Sequence, residues 1–176
     1  MISFIVPSIG RPSLFRTLQS IECWPGDEIL LVGDRLEPVD HSYVRYVQCL
    51  RGGDWGHTER NHATPLAKGR YLAHIDDDDC YAPGTRALMA DAIERTPGRP
   101  VLFRMRYPNG ITLWQEPELR CGNVGTPMIL IPNEPGRLGQ FKSFVGGDCA
   151  YLEDMQWDRS EIVWRPEVIA LLGHNT

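Results

Sequence analysis

Four consecutive aspartates, Asp76 to Asp79, follow directly on the apolar run 71–75. Carboxylates crowded at the end of a strand repel one another, and a bound cation relieves that repulsion effectively. Hard oxygen ligands favour Mg²⁺ or Mn²⁺ over Ca²⁺, and Mg²⁺ usually binds through one or two carboxylates together with substrate phosphates. The alternative is a solvated acidic loop, which the buried segment before the run disfavours. The aspartates therefore predict a metal-dependent site for a phosphorylated substrate.

The elements that position the aspartates are predicted from hydrophobic periodicity and turn residues. In the first half, short apolar strands alternate with amphipathic helices, which is typical of a mainly parallel sheet. In the second half, Pro108-Asn109-Gly110 predicts a hairpin between two strands. Breaks are expected at Pro65 and at Arg165-Pro166. The predicted fold is α/β, with strands at 2–6, 28–33, 43–47, 70–75, 101–107, 111–115, 128–131 and 163–172 and helices at 13–22, 56–68, 85–96 and 148–157.

The composition indicates one soluble globular domain over residues 1–176, with 42% hydrophobic and 23% charged residues. No apolar run approaches the roughly 20 residues that cross a bilayer, so no transmembrane segment is expected. A net charge of −5 without basic runs makes nucleic acid an improbable partner. Five scattered cysteines without a CxxC pair favour free thiols in a reducing, cytoplasmic compartment.

Ligands of open α/β sheets bind outside the carboxyl ends of the strands. Besides the aspartates, Pro7 and Ser8 follow the first predicted strand, and Asp34 follows the second. Asp34 has two interpretations, a hydrogen bond to a nucleobase or ribose, or a turn residue. The candidates for binding phosphates are Arg11, Arg60 and Lys68. His57 and His62 are interpreted as loop or surface histidines.

Several segments together resemble the family 2 glycosyltransferases of the GT-A fold. Residues 3–8 (SFIVPS) look like the family's opening strand. Residues 60–61 (RN), 67–72 (AKGRYL) and 75–79 (IDDDD) are similar to its ARN…A.G.Y…DxDD block, and residues 81–84 (YAPG) match what usually follows. The resemblance is strong over residues 2–90 and fainter to the end. It implies a Rossmann-like mixed sheet flanked by helices, with residues 1–90 as a nucleotide-binding half and 91–176 as an acceptor-side half.

The resemblance also implies roles for the residues of the site. Asp76 would contact the ribose or donor sugar and, with Asp78, bind Mn²⁺ or Mg²⁺. Asp77 and Asp79 would be supporting residues, with Asp77 on the nucleotide side. His174 is a further candidate metal ligand, although an exposed chain terminus is the competing interpretation. The nucleotide pocket would be lined by Pro7, Ser8, Arg11, Asp34 and Arg60.

An inverting transferase needs a carboxylate base beside the acceptor hydroxyl. Asp148 and Asp154 are the two candidates, and Asp148 is favoured because the family often has an acidic residue after a glycine at the start of this helix. A helix N-terminus keeps such a carboxylate ionised but lowers its basicity. The competing interpretation of both residues is helix capping on a solvated face.

The function that the resemblance implies is transfer of a sugar from a nucleotide diphosphate to a hydroxyl acceptor, with inversion. A UDP-sugar is favoured over GDP- or dTDP-sugars, and a homo-oligomer is possible. The segment 32–35 (VGDR) lacks the paired aspartates of many members, and no QxxRW motif is present, which disfavours a processive synthase. Two alternatives stay open: a nucleotidyltransferase, for which residues 7–12 supply only part of the required glycine-rich basic loop, and a non-catalytic nucleotide-sugar-binding module.

Overall fold

The computed structural model describes residues 1–173, which form a nine-stranded mixed sheet with helices between the strands. Short 3₁₀ turns at Thr64–Leu66, Thr126–Met128 and Arg159–Glu161 complete the regular structure. The helices are α1 (Leu14–Ser20), α2 (His57–Ala63), α3 (Thr85–Arg95) and α4 (Gly147–Asp154). The strands are β1 (Ile2–Pro7), β2 (Glu28–Gly33), β3 (Val44–Gln48), β4 (Tyr71–His74), β5 (Cys80–Tyr81), β6 (Val101–Arg106), β7 (Thr112–Leu113), β8 (Ile129–Pro132) and β9 (Val163–Leu171).

The sheet has the strand order β3-β2-β1-β4-β8-β6-β9-β5, with β7 paired to β6. The first four strands of this order are mutually parallel. Strand β8 runs antiparallel to both β4 and β6, whereas β9 runs parallel to β6. Strands from both halves of the chain therefore belong to one sheet. The parallel arrangement brings the carboxyl ends of β1, β2 and β4 to a single edge, where Ser8, Asp34 and Asp76 follow them.

The central strands are buried on both faces because helices cover the two sides of the sheet. All six residues of β1 are buried, as this run of apolar residues interrupted by Ser3 alone predicts. Successive residues of β1 point to opposite faces, so Phe4 and Val6 belong to one hydrophobic cluster and Ile5 to another. Each fully buried side chain of this size stabilises the fold by about 1.5–3 kcal/mol.

Asp27, which directly precedes β2, anchors the start of the chain. Its carboxylate accepts hydrogen bonds from the backbone N–H groups of Ile2, at 2.8 Å, and Trp24, at 2.9 Å. It also accepts from Nε and Nη2 of Arg86, at 2.6 and 3.2 Å. Burial favours the neutral acid, but the Arg86 bond and the two backbone bonds outweigh burial and lower the pKa of Asp27.

Four elements test details of the sequence prediction. Helix α2 ends at Ala63 and continues as a 3₁₀ turn, which confirms the predicted break at Pro65, a residue that cannot donate to the helix. Strand β9 continues through Pro166, and its register against β6 shifts between Leu102 and Met105 to absorb the extra residues. The predicted hairpin is confirmed with a shorter second strand, β7. The two-residue strand β5, which pairs with β9, was not predicted.

Candidate active site

Three loops enclose a cavity of about 460 Å³ at the carboxyl edge of the parallel strands. The first loop follows β1, the second is the segment between β3 and α2, and the third is the start of the aspartate run after β4. We call this space the aspartate cavity. Its lining consists of Pro7, Ser8, Ile9, Arg11, Arg51, Gly53, Asp54, Trp55, Gly56, Glu59, Asp76, Asp77 and Asp78.

Asp77 joins the loop after β1 to the loop after β4. Its Oδ2 accepts hydrogen bonds from the Ser8 hydroxyl at 2.7 Å and from the Ile9 backbone N–H at 3.1 Å. Its Oδ1 accepts from Arg11 Nη1 at 2.6 Å. Because three donors already engage this buried carboxylate, Asp77 shapes the cavity through protein contacts.

Arg60 holds Asp76 from inside the protein. Helix α2 places the Arg60 side chain beneath the cavity, where Nη2 donates to Asp76 Oδ1 at 2.6 Å and Nη1 donates to the Trp55 carbonyl at 2.8 Å. Burial alone would lower the pKa of Arg60, but Asp76 and Asp148 reverse the effect and raise it. Arg60 was predicted to line the nucleotide pocket, but it contacts Asp76 and is not among the residues that line the aspartate cavity.

Asp78 and Asp79 differ in their surroundings although they are adjacent. The Asp78 side chain is 41% exposed and lies 3.1 Å from Arg11 Nη1. Burial, together with the charges of Asp76 and Asp77, raises the pKa of Asp78 against the opposing effect of Arg11. Asp79 is buried and accepts from the Gly173 backbone N–H at 2.8 Å, and chiefly this burial raises its pKa to about 7.

The donors that could bind a cation in the aspartate cavity are the partly exposed carboxylates of Asp76 and Asp78. Within residues 1–173, no three His, Cys, Asp or Glu side chains are arranged to bind a metal ion by themselves. Two carboxylates completed by substrate phosphates fit the coordination typical of Mg²⁺. Burial is the main cause of the raised pKa of Asp78, and a cation at this point would relieve the repulsion that Asp76 and Asp77 add to it. His174, the third predicted ligand, lies outside the described residues.

A second cavity of about 270 Å³, the Asp148 cavity, shares Trp55 and Asp76 with the first. Asp148 is in the first turn of α4, with Oδ1 3.4 Å from His57 Nε2 and Oδ2 accepting from the Thr126 backbone N–H at 3.2 Å. Burial favours the neutral form of Asp148, but the contact with His57 and the charge of Arg60 outweigh it and lower the pKa. The arrangement keeps Asp148 ionised beside Asp76.

His57 is not the surface residue that the sequence suggested. It begins α2, is 4% exposed, and stacks on Phe141 with ring centroids 5.7 Å apart. A Cβ at Gly147 would lie 2.4 Å from His57 Cε1, so the glycine before Asp148 is what allows the imidazole to reach the helix. His62, in contrast, is not buried.

Three other predicted residues lie apart from these cavities. Asp154 is at the end of α4, where it accepts from Lys142 Nζ at 3.3 Å, and it borders neither cavity. Asp34 accepts from Gln48 Nε2 at 2.9 Å and borders a neighbouring depression that shares Ile9 and Arg11 with the aspartate cavity. Lys68 precedes β4 and is therefore at the opposite end of the parallel strands, so its assignment to phosphates is wrong.

The segment 52–56 contains Asp54, which sequence reasoning left without a role, and Trp55, whose single aromatic ring suggested either stacking on a sugar or packing. Asp54 accepts from the Thr58 hydroxyl at 2.8 Å and the Ser143 hydroxyl at 2.7 Å, which ties the cavity wall to the loop before α4. Trp55 is 64% exposed and has φ 58, in the left-handed region that side chains rarely adopt. The glycines around them indicated a loop, but local sequence does not reveal these long-range contacts.

Together, the strand order and helix placement form the GT-A fold, as predicted. The chain shares this fold with S. aureus TarS: the TM-score is 0.73 at 18% identity, over 97% of this chain and 36% of that one. TarS 1–349 in complex with UDP-GlcNAc matches with a TM-score of 0.72 at 18% identity, over 97% and 57% of the two chains. At such identity the likeness establishes the fold alone.

By sequence, the chain is similar to an uncharacterised glycosyltransferase of Haemophilus influenzae. The two are 28% identical over 149 residues, which cover 77% of this chain and 50% of the relative. The chain therefore spans half the length of this relative. No protein-family model matches the chain. None of the helices within residues 1–173 has the length and apolar character needed to cross a bilayer.

Proposed function

We propose that the protein is a glycosyltransferase that moves a sugar from a nucleotide diphosphate, preferably a UDP-sugar, to a hydroxyl acceptor with inversion. The observation that carries this proposal is the common wall of the two cavities. Asp76 and Trp55 line both cavities. A ligand in the aspartate cavity would therefore lie next to the cavity that contains Asp148. The named glycosyltransferase relative and the UDP-GlcNAc complex of a protein with the same fold support the assignment.

The donor is assigned to the aspartate cavity. Arg11, whose side chain is 43% exposed, supplies a positive charge beside Asp78 for a diphosphate. Pro7 and Ser8, at the end of β1, and Asp77, after β4, also line this cavity. Asp76 and Asp78 would hold Mn²⁺ or Mg²⁺, which when bound neutralises charge on the leaving diphosphate.

The acceptor is assigned to the Asp148 cavity, where the ionised carboxylate would act as general base. The acceptor oxygen forms a bond to the anomeric carbon while the bond from that carbon to the diphosphate oxygen breaks. The hydroxyl proton passes to Asp148, and the nucleoside diphosphate leaves with the electron pair. His57 and the Thr126 N–H position the carboxylate for this transfer.

The test is to incubate the protein with UDP-, GDP- and dTDP-sugars, with and without Mn²⁺, and to follow nucleotide release and thermal unfolding. We expect metal-dependent stabilisation and release with a UDP-sugar. Absence of stabilisation by every donor would overturn the proposal. Stabilisation without turnover across varied acceptors would instead support a binding module. Pyrophosphate release from a nucleoside triphosphate and a sugar phosphate would support a nucleotidyltransferase.

A further inference from the structure

Two large aromatic side chains are exposed at the Asp148 cavity. Trp55 is 64% exposed and Phe144 is 51% exposed, and both line this cavity together with the exposed Val145. Apolar side chains that are exposed singly are ordinary, whereas several of them around one cavity are typical of a ligand-binding surface. The acceptor side of the site therefore offers its ligand an apolar face.

Both rings lie close to the carboxylate of Asp148. The Trp55 ring centroid is 6.2 Å from that of His57, whose Nε2 is 3.4 Å from Asp148 Oδ1. The Phe144 ring packs near the start of α4, since a Cβ built at Gly146 would lie 3.9 Å from Phe144 Cε2. Gly146 is two residues before Asp148. A ligand hydroxyl that reaches Asp148 would therefore have both rings beside it.

Hydrogen bonds of neighbouring residues hold the two aromatic residues in a fixed relation. Asp54, which precedes Trp55, accepts at Oδ2 from the hydroxyl of Ser143, which precedes Phe144, at 2.7 Å. The Trp55 carbonyl accepts from Arg60 Nη1 at 2.8 Å, which helps to hold Trp55 in its left-handed conformation. Backbone conformations of this kind cluster at sites that clamp a ligand. Contacts within the protein therefore orient both rings.

The charges around the Asp148 cavity indicate what kind of ligand it takes. Its ionisable lining residues are His57, Asp76 and Asp148, and within residues 1–173 no lysine or arginine lines it. The guanidinium of Arg60 is buried and donates to Asp76. A phosphate or carboxylate on the ligand would thus face the ionised Asp148 without a compensating cation. Hydroxyl groups, in contrast, can donate hydrogen bonds to a carboxylate.

We propose that Trp55 and Phe144 bind an uncharged sugar ring of the acceptor, with its reacting hydroxyl at Asp148. This inference rests on the proposed function and adds the class of acceptor to it. One face of a pyranose ring carries C–H groups, whose partial positive charge is attracted by the negative face of an aromatic ring. The cavity volume of about 270 Å³ is just below the usual range of ligand pockets, about 300–1,000 Å³. It therefore accommodates one ring rather than a long chain.

The first test compares three kinds of acceptor. UDP-glucose, UDP-galactose and UDP-GlcNAc are each supplied with Mn²⁺, and nucleotide release is followed as acceptor is added. The acceptors are the methyl glycosides of glucose, galactose and N-acetylglucosamine, the 3- and 6-phosphates of these glycosides, and 1-hexanol. We expect an uncharged glycoside to raise the rate, with a KM about 10-fold or more below that of its phosphates, because the phosphate is repelled by Asp148.

The second test separates an aromatic contact from a merely apolar one. Phe144→Leu keeps an apolar side chain but removes the ring, whereas Phe144→Tyr keeps the ring. We expect KM for the glycoside to rise about 3- to 10-fold in Phe144→Leu, the size of one aromatic contact, and to be restored in Phe144→Tyr. Calorimetry should give wild-type affinity for UDP, because Phe144 does not line the aspartate cavity. Phe15→Leu, at a ring that is 60% exposed and lines neither cavity, is the matched control.

Three outcomes would overturn the inference. The first is a preference for 1-hexanol with Phe144→Leu as active as wild type, because the acceptor would then be an apolar alcohol. The second is equal or better use of the phosphorylated glycosides. The third is a failure of every uncharged glycoside to raise nucleotide release although the donor binds. If none of the UDP-sugars binds in the presence of Mn²⁺, the proposed function itself fails.

Discussion

Arg60 donates from Nη2 to Asp76 Oδ1 at 2.6 Å although its side chain is only 1% exposed. The guanidinium also lies 5.5 Å from the Phe141 ring centroid and donates to the Trp55 carbonyl. The buried guanidinium of Arg60 therefore fixes the position of Asp76, the first aspartate of the run. Removing one partner of such a pair leaves an uncompensated charge, which is more costly than the pair is stabilising.

Replacement of Arg60 should therefore destabilise the protein strongly. For Arg60→Met we expect the free energy of unfolding to fall by about 1–3 kcal/mol, because the partly exposed Asp76 carboxylate and the Trp55 carbonyl each lose a hydrogen-bond donor. Urea unfolding followed by circular dichroism measures the change. Arg95→Met, which removes an exposed partner of Asp91 on α3, is the control and should have little effect. Equal effects of the two variants would contradict the importance of the buried pair.

Asp148→Asn should abolish sugar transfer while nucleotide binding is retained. General bases contribute about 10²- to 10⁴-fold to rate, so kcat should fall by that factor, with the affinity for UDP unchanged. Initial rates of nucleotide release and calorimetry separate the two effects. Asp154→Asn is the matched control, because Asp154 is on the same helix but borders neither cavity. Full activity in Asp148→Asn together with an inactive Asp154→Asn would reverse the assignment of the base.

Asp78→Asn should remove the metal-dependent part of donor binding. Asp78→Asn removes one of the two partly exposed carboxylates in the aspartate cavity. Mg²⁺ and Mn²⁺ depend on charged oxygen ligands of this kind. We expect the rise in melting temperature on adding Mn²⁺ with UDP to be lost, while UDP alone gives the same shift as in wild type. Asp40→Asn, at an exposed residue, should preserve the Mn²⁺ effect. An intact Mn²⁺ effect in Asp78→Asn would exclude Asp78 as a ligand.

Stability should fall in acid as Asp27 takes up a proton. Burial opposes ionisation, but Arg86 and two backbone N–H groups lower the pKa of Asp27 below its usual value. Between its folded and unfolded pKa values, the unfolded chain binds more protons, so the free energy of unfolding rises with pH. The stabilisation by the ionised Asp27 carboxylate is complete above about pH 4. It is lost as the pH falls through the pKa of Asp27 in the folded protein. Asp27→Asn should be less stable than wild type near neutrality, with a smaller difference at about pH 2. Urea unfolding at several pH values measures the difference in free energy of unfolding between the wild-type protein and Asp27→Asn. A difference that does not change with pH would contradict the prediction.

Trp55→Gly should impair transfer without destabilising the fold. A left-handed backbone costs a residue with a side chain about 1–2 kcal/mol, which glycine avoids. We expect the melting temperature to be unchanged or higher, whereas KM for donor or acceptor rises several-fold because an exposed ring is lost from both cavities. Arg35→Gly, at φ 52, is the control for backbone relief alone. A large loss of stability in Trp55→Gly would show that the ring is needed for folding.

Sequence reasoning predicted the parallel sheet because its strands are apolar enough to be recognised one at a time. It also located the residues at strand ends, since those follow from the strands themselves. The misassignment of Lys68 arose because charge alone does not indicate which end of the sheet a residue occupies. Glu59 and Asp54 were missed for a related reason: burial of a charged residue depends on partners, such as Gly52 and Ser143, that are fixed only by the folded chain.

The three hydrogen bonds to Asp77 have a consequence for how tightly a nucleotide binds. They restrain the loop after β1 through contacts within the protein, so the conformational freedom of this loop is lost during folding. A ligand that contacts Ser8 or Arg11 then meets side chains that are already oriented. Pre-organisation of this kind reduces the entropic cost of association. Binding of the nucleotide should consequently proceed with little ordering of this part of the chain.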